Sequence, residues 1–384
     1  MRTRIYFGMA ALLAMMAGPT AGQAQDSQTV DVGFTGPLTG AAASWGIGMS
    51  EGIKMAFAHA GAVTIGGKSY TFVLDALDDA YNTQTAVANA QRLIQERHVK
   101  FAATMGGAIG VVTEPVFSAS NVLQFHLGAA EAFLGKNKPL SLRSHMSSLD
   151  AFFVYWPWIA KTHPEIKNVA LFEPQDDTGR QSRVREEEAI KQVGLNIVDF
   201  EMTPRDTTDF YPTLTKVLQS NPDAISVYTP PGQQPIVAKQ ARELGFKGLL
   251  ILPSMEPGLV TGALGAQADG ILDPVALTMP LTDKAHKLQA EWTKAHDTTP
   301  PTLLFDGYNI GEMLIKSAMD AGTVDDAEKV NASLHKIDFN DTIFGKMCWH
   351  EVRGIDNAMY DSDAIAVIKN GKQELVASAQ PPCK

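Results

Sequence analysis

The spacing of apolar and polar positions changes repeatedly along this chain. Short apolar runs such as Thr29–Phe34, Phe101–Thr104 and Val122–Phe125 predict buried strands, whereas apolar positions three or four residues apart over Thr83–Glu96 predict an amphipathic helix. Strands and helices of these two kinds alternate almost throughout, with short loops between them. This alternation predicts an α/β fold in which parallel sheets are covered by helices on both faces.

The alternation falls into two runs that are separated near Arg143–Asp150. A chain of 384 residues is also longer than one typical core requires and suits two domains. No long Ser- or Pro-rich segment follows either run. We therefore expect two similar lobes joined by short strands and not by a flexible tether.

Two turns without bulky side chains follow neighbouring predicted strands, at the strand ends where open parallel sheets bind ligands. They are formed by Gly106, Gly107 and Ala108, and by Gly128, Ala129 and Ala130. Backbone N–H groups at the start of the helix after the first turn are free to meet a small polar ligand, preferably an anion. The alternative is that small residues here only permit tight packing.

Aromatic side chains lie beside several of the strand ends, namely Trp45, Tyr81 and Tyr228. Small turn residues with aromatic neighbours form a pocket that binds through backbone groups and aromatic faces. The composition therefore favours binding over catalysis.

The N-terminus has the features of a secretory signal peptide. Arg2 and Arg4 precede an apolar segment over Phe7–Ala17, which is too short to span a membrane, and small residues lead up to Ala24. We expect residues 1–24 to be removed by cleavage after Ala24. The cleavage removes two arginines and no acids, so the net charge changes from −10 to −12. An acidic chain argues against nucleic acid as a partner.

The chain has two cysteines, Cys348 and Cys383. In an exported protein, two cysteines predict one disulfide, which here would hold the C-terminal tail. Two buried free thiols are the alternative.

Motifs for catalysis and metal binding are weak. Residues 48–52 match G-x-S-x-G around Ser50, but the preceding residues read as a loop and not as the strand that a nucleophile elbow needs. The histidines are scattered without zinc-like spacing, so no metal or cofactor is predicted. The acid pairs Asp78-Asp79 and Asp176-Asp177 follow strands; general acid–base catalysis is possible in principle, and capping of the next helix or acceptance of loop hydrogen bonds is favoured.

Six segments, in order, resemble one known family. They are VDVGFTGPLTGAAASWGIGMSEGIKMAF (30–57), LDDAYNTQTAVANAQRLI (77–94), the stretch from 99 to 130, QARELGFKG (240–248), LLFDGYNIGEMLIKSAMDAG (303–322) and IFGKMCWHEVRGID (343–356). The chain is similar to the type I periplasmic solute-binding proteins of ABC importers, in the leucine/isoleucine/valine-binding branch.

The resemblance implies two Rossmann-like lobes with parallel-type sheets, joined by a three-crossing hinge and closing on a ligand. Lobe 1 would comprise residues 25–146 and 277–357, and lobe 2 residues 147–276 and 358–384. It also implies a monomer in the periplasm, with a small-molecule ligand and an inner-membrane ABC permease as partners.

The family's ligand residues carry over one position at a time. The resemblance implies roles for Trp45 as the pocket aromatic, for Gly107 where the family has serine, for Gly128 and Ala130 after the next strand, for Thr178, for Tyr228 or Pro230, and for Glu256 as the acid that meets an ammonium, the last only with a shift of two residues from Ser254.

Hydroxyl groups that the family uses on a carboxylate are missing at Gly107 and Ala130. The resemblance therefore implies capture of a small amino acid or a related organic carboxylate, aromatic acids included, with an amide or an uncharged metabolite as further options. Two other functions stay open: a sensor of the same fold that signals to a membrane receptor, and an exported hydrolase that uses Ser50.

Overall fold

A computed structural model describes residues 27–379, so the predicted signal peptide and cleavage site at Ala24 lie outside the described residues. Strands and helices alternate along most of this range. The strands are β1 Gln28–Gly36, β2 Val63–Ile65, β3 Lys68–Asp78, β4 Phe101–Met105, β5 Leu123–Leu127, β6 Ser141–Arg143, β7 Asn168–Pro174, β8 Asn196–Thr203, β9 Ala224–Val227, β10 Leu249–Ile251, β11 Leu272–Asp273, β12 Cys348–Trp349, β13 Met359–Tyr360, β14 Asp363–Lys369 and β15 Lys372–Ala379.

Helices cover the sheets formed by these strands. They are α1 Ala43–Ala60, α2 Thr83–Arg97, α3 Gly107–Ser118, α4 Ser148–Thr162, α5 Asp177–Gln192, α6 Tyr211–Gln219, α7 Gln234–Glu243, α8 Pro257–Leu264, α9 Asp283–His296, α10 Leu304–Ala321 and α11 Ala327–Leu334, with a short 3₁₀ helix at Gly265–Ala268. Within the described residues, no helix is both long and apolar enough to cross a membrane.

The strands form two large sheets. The first has the order β2-β3-β1-β4-β5-β6, and the second β15-β14-β11-β10-β9-β7-β8. Pairing is parallel in the centre of both sheets and antiparallel only at β2–β3, β11–β14 and β14–β15. The predicted α/β class with two lobes of mostly parallel sheet is confirmed.

Strand order reverses at β1 in the first sheet and at β7 in the second, because β1 lies between β3 and β4 and β7 lies between β8 and β9. Loops that leave adjacent strands in opposite directions open a crevice at the carboxyl ends of the strands. Each lobe therefore offers one ligand crevice.

Each sheet has its own apolar core. Side chains of the first sheet pack with α1, α9, α10 and α11 on one face and with α2 and α3 on the other. The second sheet is covered by α4 and α5 on one side and by α6, α7 and α8 on the other. Helices after residue 283 thus return to the first lobe.

The chain passes between the lobes three times. It leaves the first sheet after β6, returns after β11 and crosses again between β13 and β14. The predicted lobe limits at 146, 276 and 357 fall beside these three crossings, and the limits themselves stay predictions.

Two sequence hypotheses concern single side chains. Ser50 lies inside α1, where it is buried and its hydroxyl donates to the Ile47 carbonyl at 3.1 Å, so the strand–turn–helix of a nucleophile elbow does not form.

Cys348 lies in β12 and is not a free thiol. Its predicted partner Cys383 lies outside the described residues, so this pairing stays a prediction.

Candidate functional site

A cavity of about 80 Å³ lies between the carboxyl ends of the two sheets. Parallel strands of both lobes contribute to its wall through the residues that follow them. Eight of the twelve predicted ligand residues line it, namely Trp45, Tyr81, Gly106, Gly107, Gly128, Ala129, Thr178 and Tyr228. The structure thus brings together most of the positions that the sequence singled out.

Two turns on the first-lobe side of the cavity expose bare backbone for a steric reason. Gly106 has φ +116°, and a Cβ there would lie 2.8 Å from the Tyr81 ring. A Cβ at Gly128 would lie 2.5 Å from the Gly107 nitrogen. Both distances are shorter than carbon atoms tolerate, so the two turns must pass each other without side chains.

Helix α3 begins on this bare surface. Its N-cap is Gly106, which has no side chain to accept a hydrogen bond from the first turn. The free N–H groups and the positive end of the helix dipole are therefore directed to whatever occupies the cavity. Helix α5 on the opposite lobe differs, because the Asp176 carboxylate caps it by accepting from the Gly179 N–H at 3.0 Å.

Thr178 faces Gly107 across the gap between the lobes. A Cβ added at Gly107 would lie 3.2 Å from Thr178 Oγ1 and 3.0 Å from the Ala130 nitrogen. The Thr178 hydroxyl is buried without a hydrogen-bond partner among the described residues. The second lobe therefore places a hydroxyl beside the position where the first lobe lacks one.

Arg205 is the cation of the cavity wall, and the sequence analysis missed it. It follows β8, its guanidinium carbon lies 4.2 Å from the centre of the Tyr81 ring, and its Nε donates to Asp176 Oδ2 at 2.6 Å. A guanidinium on an aromatic face keeps N–H groups available for a further acceptor. Arg205 thus joins the two lobes and can meet an anion.

The loop that carries Tyr81 is held by the acid pair before it. Tyr81 has φ +62°, and its N–H donates to Asp79 Oδ1 at 2.8 Å. The Thr35 hydroxyl donates to Asp79 Oδ2 at 3.0 Å, and burial raises the pKa of this carboxyl group to about 6. The expectation that Asp78-Asp79 accepts loop hydrogen bonds is thus met, as is the capping role of Asp176.

Further polar side chains complete the wall. Tyr228 and Ser148 share a hydrogen bond of 2.5 Å between their hydroxyl oxygens. Burial, with a smaller effect of the Arg143 charge, lowers the pKa of His145 to about 3, so its imidazole is neutral. Thr229 and Ser254 also line the cavity, whereas no Asp or Glu of the described residues does.

Four predicted site residues lie elsewhere. Ala108 follows Gly107 in α3 but is not in the wall, and Ala130 is buried behind the second turn with Phe133. Pro230 lines a separate opening at the rim of the lobes.

Glu256, the fourth, requires a correction. Its carboxylate accepts from the Thr302 N–H at 2.7 Å and from the Thr302 hydroxyl at 2.6 Å, and it stays outside the cavity. Ser254 holds the wall position, so the shift of two residues that Glu256 needed does not occur.

Two cavity residues that the sequence analysis did not predict as ligand residues, Arg205 and Ser254, follow the carboxyl ends of strands. Considering every polar residue at such a strand end could have found them. Arg205 comes two residues after β8, and Ser254 comes three after β10. His145 lies on the first crossing between the lobes and Ser148 begins α4, and no periodic pattern marks either side chain as facing a ligand. Their position could come only from the tertiary structure.

Comparisons with known proteins agree with this architecture. The sequence profile described as periplasmic binding protein matches residues 29–372. No curated protein sequence matches the chain.

Several solved structures share the fold. A leucine-binding protein from Thermotoga maritima MSB8 superposes with a TM-score of 0.79 at 20% identity, over 92% of this chain and 99% of its own. A solute-binding protein of an ABC transporter from Rhodopseudomonas palustris BisB5, in complex with 3,4-dihydroxybenzoic acid, gives 0.78 at 21% identity, over 92% and 97%. A solute-binding protein from R. palustris in complex with benzoate gives 0.79 at 16%, over 92% and 97%.

Proposed function

The chain belongs to the periplasmic binding protein family, and from this premise we propose that it captures a small monocarboxylate without an amino group and delivers it to an ABC permease in the inner membrane. A single-ring aromatic acid is the upper size limit of this class. The protein would act as a monomer in the periplasm, after cleavage of the signal peptide at Ala24, and without catalysis.

The charge distribution in the cavity wall is the observation that carries the proposal. The uncapped N-terminus of α3 and the Arg205 guanidinium both favour an anion. No acid among the described residues lines the cavity, and the carboxylate of Glu256 is taken by Thr302. A buried ammonium would have no counter-charge and would therefore be costly, which disfavours an α-amino acid.

The aromatic residues and the cavity size limit the rest of the ligand. Trp45, Tyr81 and Tyr228 offer flat apolar faces. The cavity of about 80 Å³ is roughly half the ~150 Å³ that holds a benzene molecule, so an aromatic acid requires the lobes to stand slightly further apart. Short aliphatic acids fit without this change. Two of the similar solute-binding proteins are in complex with 3,4-dihydroxybenzoic acid and benzoate, which supports the same ligand class.

Ligand-dependent stabilisation tests the proposal. Mature protein is heated with propionate, benzoate, benzamide and leucine, since a ligand that binds only the folded state raises the melting temperature. We expect stabilisation by propionate or benzoate and none by benzamide, which lacks the charge. Stabilisation by leucine alone would overturn the proposed ligand class.

Delivery to a permease needs a test in cells. A strain without the gene should lose uptake of the radiolabelled acid found above, and the wild-type chain should restore it. Unchanged uptake in the deletion strain would argue against transport and in favour of the sensor.

A further inference from the structure

A second group of polar side chains lies where the three crossings meet the first lobe. His145 lies on the first crossing, Asp306 in the first turn of α10, and Asp361 on the third crossing. One potential ligand atom from each of the three lies within 4.8 Å of the others. Residues from three distant segments thus direct nitrogen and oxygen atoms to one point.

These side chains lack the hydrogen bonds that buried polar groups normally make. Asp306 is 1% exposed, yet neither of its carboxylate oxygens has a hydrogen-bond partner among the described residues. His145 Nδ1 has none either, and its distance of 3.7 Å to Asp306 Oδ1 is too long for a hydrogen bond. Only Asp361 has a partner, the Met146 N–H at 2.9 Å. Buried polar atoms without partners are uncommon in folded proteins, and a bound ion is one way to satisfy them.

Among residues 27–379, no lysine or arginine forms an ion pair with Asp306 or Asp361, and the neutral His145 is the basic side chain nearest to Asp306. The neighbouring charged group of Asp306 is another acid, the carboxyl group of Asp361. Asp363 is a third buried acid close to both. Arg143 is buried nearby, but the acids that act on it are Asp150 and Glu131.

We propose that His145, Asp306 and Asp361 bind a divalent transition-metal cation, for which Zn²⁺ and Mn²⁺ are the matching ions. One imidazole with two carboxylates is a donor set that these ions prefer over Mg²⁺ and Ca²⁺. Two donors on opposite sides of a cation at about 2.1–2.4 Å are about 4.2–4.8 Å apart, so the three atoms can reach one ion with small adjustments.

The ion would stabilise the hinge. The Met146 N–H already joins the first crossing to Asp361 on the third, and the ion would link both crossings to Asp306 in α10 of the first lobe. The metal therefore favours one arrangement of the crossings and should raise the thermal stability of the folded protein.

Calorimetric titration of Zn²⁺ and Mn²⁺ into tag-free mature protein, cleared of metal by a chelator, tests the site. We expect one equivalent of metal to bind with a dissociation constant below micromolar and to raise the melting temperature. D306N and D361N should weaken this binding at least 100-fold. D306N should remain folded without metal, since it removes a buried charge and keeps the shape of the side chain.

A matched control separates the site from weak surface binding. His163 and Glu165 form an exposed pair that can hold zinc adventitiously, and H163A should leave the stoichiometric binding unchanged. An anomalous zinc signal at His145 in crystals would support the proposal. It is overturned if one equivalent binds equally to D306N, or if neither ion binds and D306N only stabilises the protein, since the acids are then protonated carboxyl groups.

Discussion

The guanidinium of Arg205 stacks on the ring of Tyr81, with 4.2 Å between the guanidinium carbon and the ring centre. Tyr81 follows β3 of the first lobe, and Arg205 follows β8 of the second. The contact therefore joins the two lobes directly. It places a positive charge in the cavity wall and fixes its orientation through the bond to Asp176.

Replacing Arg205 should weaken ligand binding more than it weakens the fold. We expect R205A to raise the dissociation constant for the carboxylate roughly 10- to 100-fold, because a charge-assisted hydrogen bond contributes about 1.5–3 kcal/mol. R205K should have an intermediate effect, since lysine keeps the charge but loses the planar stacking. Isothermal titration measures both. R183A is the control, since it removes a guanidinium stacked on Phe200 outside the cavity, and it should bind the carboxylate like wild type. If R205A bound the carboxylate as tightly as wild type, the role of Arg205 would be refuted.

An added methyl group at Gly107 should interfere with closure. Its Cβ would lie 3.2 Å from Thr178 Oγ1 of the other lobe and 3.0 Å from the Ala130 nitrogen, which is closer than ordinary contact. We expect G107A to weaken ligand binding about tenfold or more, with a small change in the melting temperature of the ligand-free protein. Titration and thermal denaturation together separate the two effects. An alanine at Gly262, which meets nothing within 4 Å, is the control and should leave affinity unchanged.

Asp79 and Asp78 should affect stability with opposite dependence on pH. Burial raises the pKa of Asp79 to about 6, so between pH 4 and 6 the folded protein holds this proton more tightly than the unfolded chain. The contribution of Asp79 to stability therefore falls as pH rises through this window, by up to roughly 3 kcal/mol. D79N should show a smaller loss of melting temperature between pH 4.5 and 7.5 than wild type.

Asp78 is the matched control. Burial acts to raise its pKa, but hydrogen bonds from the Thr39 hydroxyl and from the Ala80 and Leu38 N–H groups outweigh it, and the pKa is lowered. Its contribution is present above the ordinary pKa of an aspartate and disappears as the pH falls. D78N should therefore destabilise the protein at neutral pH and have less effect at acid pH. The same pH profile for both variants would contradict these assignments.

Glu173 of β7 and Glu186 of α5 form a fully buried pair between the second sheet and a helix that covers it. Burial raises the pKa of both carboxyl groups, and repulsion by Glu186 adds to the rise for Glu173. E173Q replaces the carboxyl group of Glu173 with an amide, which carries no charge at any pH. A carboxyl group with a raised pKa loses stability as the pH rises, so the melting temperature of E173Q relative to wild type should increase with pH.

Glu186 should respond differently to the same change. Its Oε1 accepts from the Ser226 hydroxyl at 2.8 Å, from Trp156 Nε1 at 3.1 Å and from the Tyr155 hydroxyl at 3.3 Å. A glutamine oxygen cannot serve all three donors as well as a carboxylate, so E186Q should lose about 1–3 kcal/mol at neutral pH. Chemical denaturation measures this difference. Equal stability of E173Q and E186Q would show that the three hydrogen bonds to Glu186 do not make its carboxylate more important for stability than that of Glu173.

The sequence by itself determined the fold class, and it singled out turns that the structure places around one cavity. Alternating apolar periods specify strands and helices locally, because each element must bury its own apolar face. The bare turns at Gly106 and Gly128 could also be predicted, since glycine at a strand end marks a close approach of backbone whatever the rest of the chain does.

The tertiary structure alone decided which side chains meet. Thr178 faces Gly107, Arg205 stacks on Tyr81, and Thr302 takes the carboxylate of Glu256 that the sequence assigned to a ligand. These pairs are separated by 46 or more residues and belong to different lobes or crossings. Their distances follow from how the two lobes pack against each other, and no local pattern of hydrophobicity or turn chemistry encodes that packing.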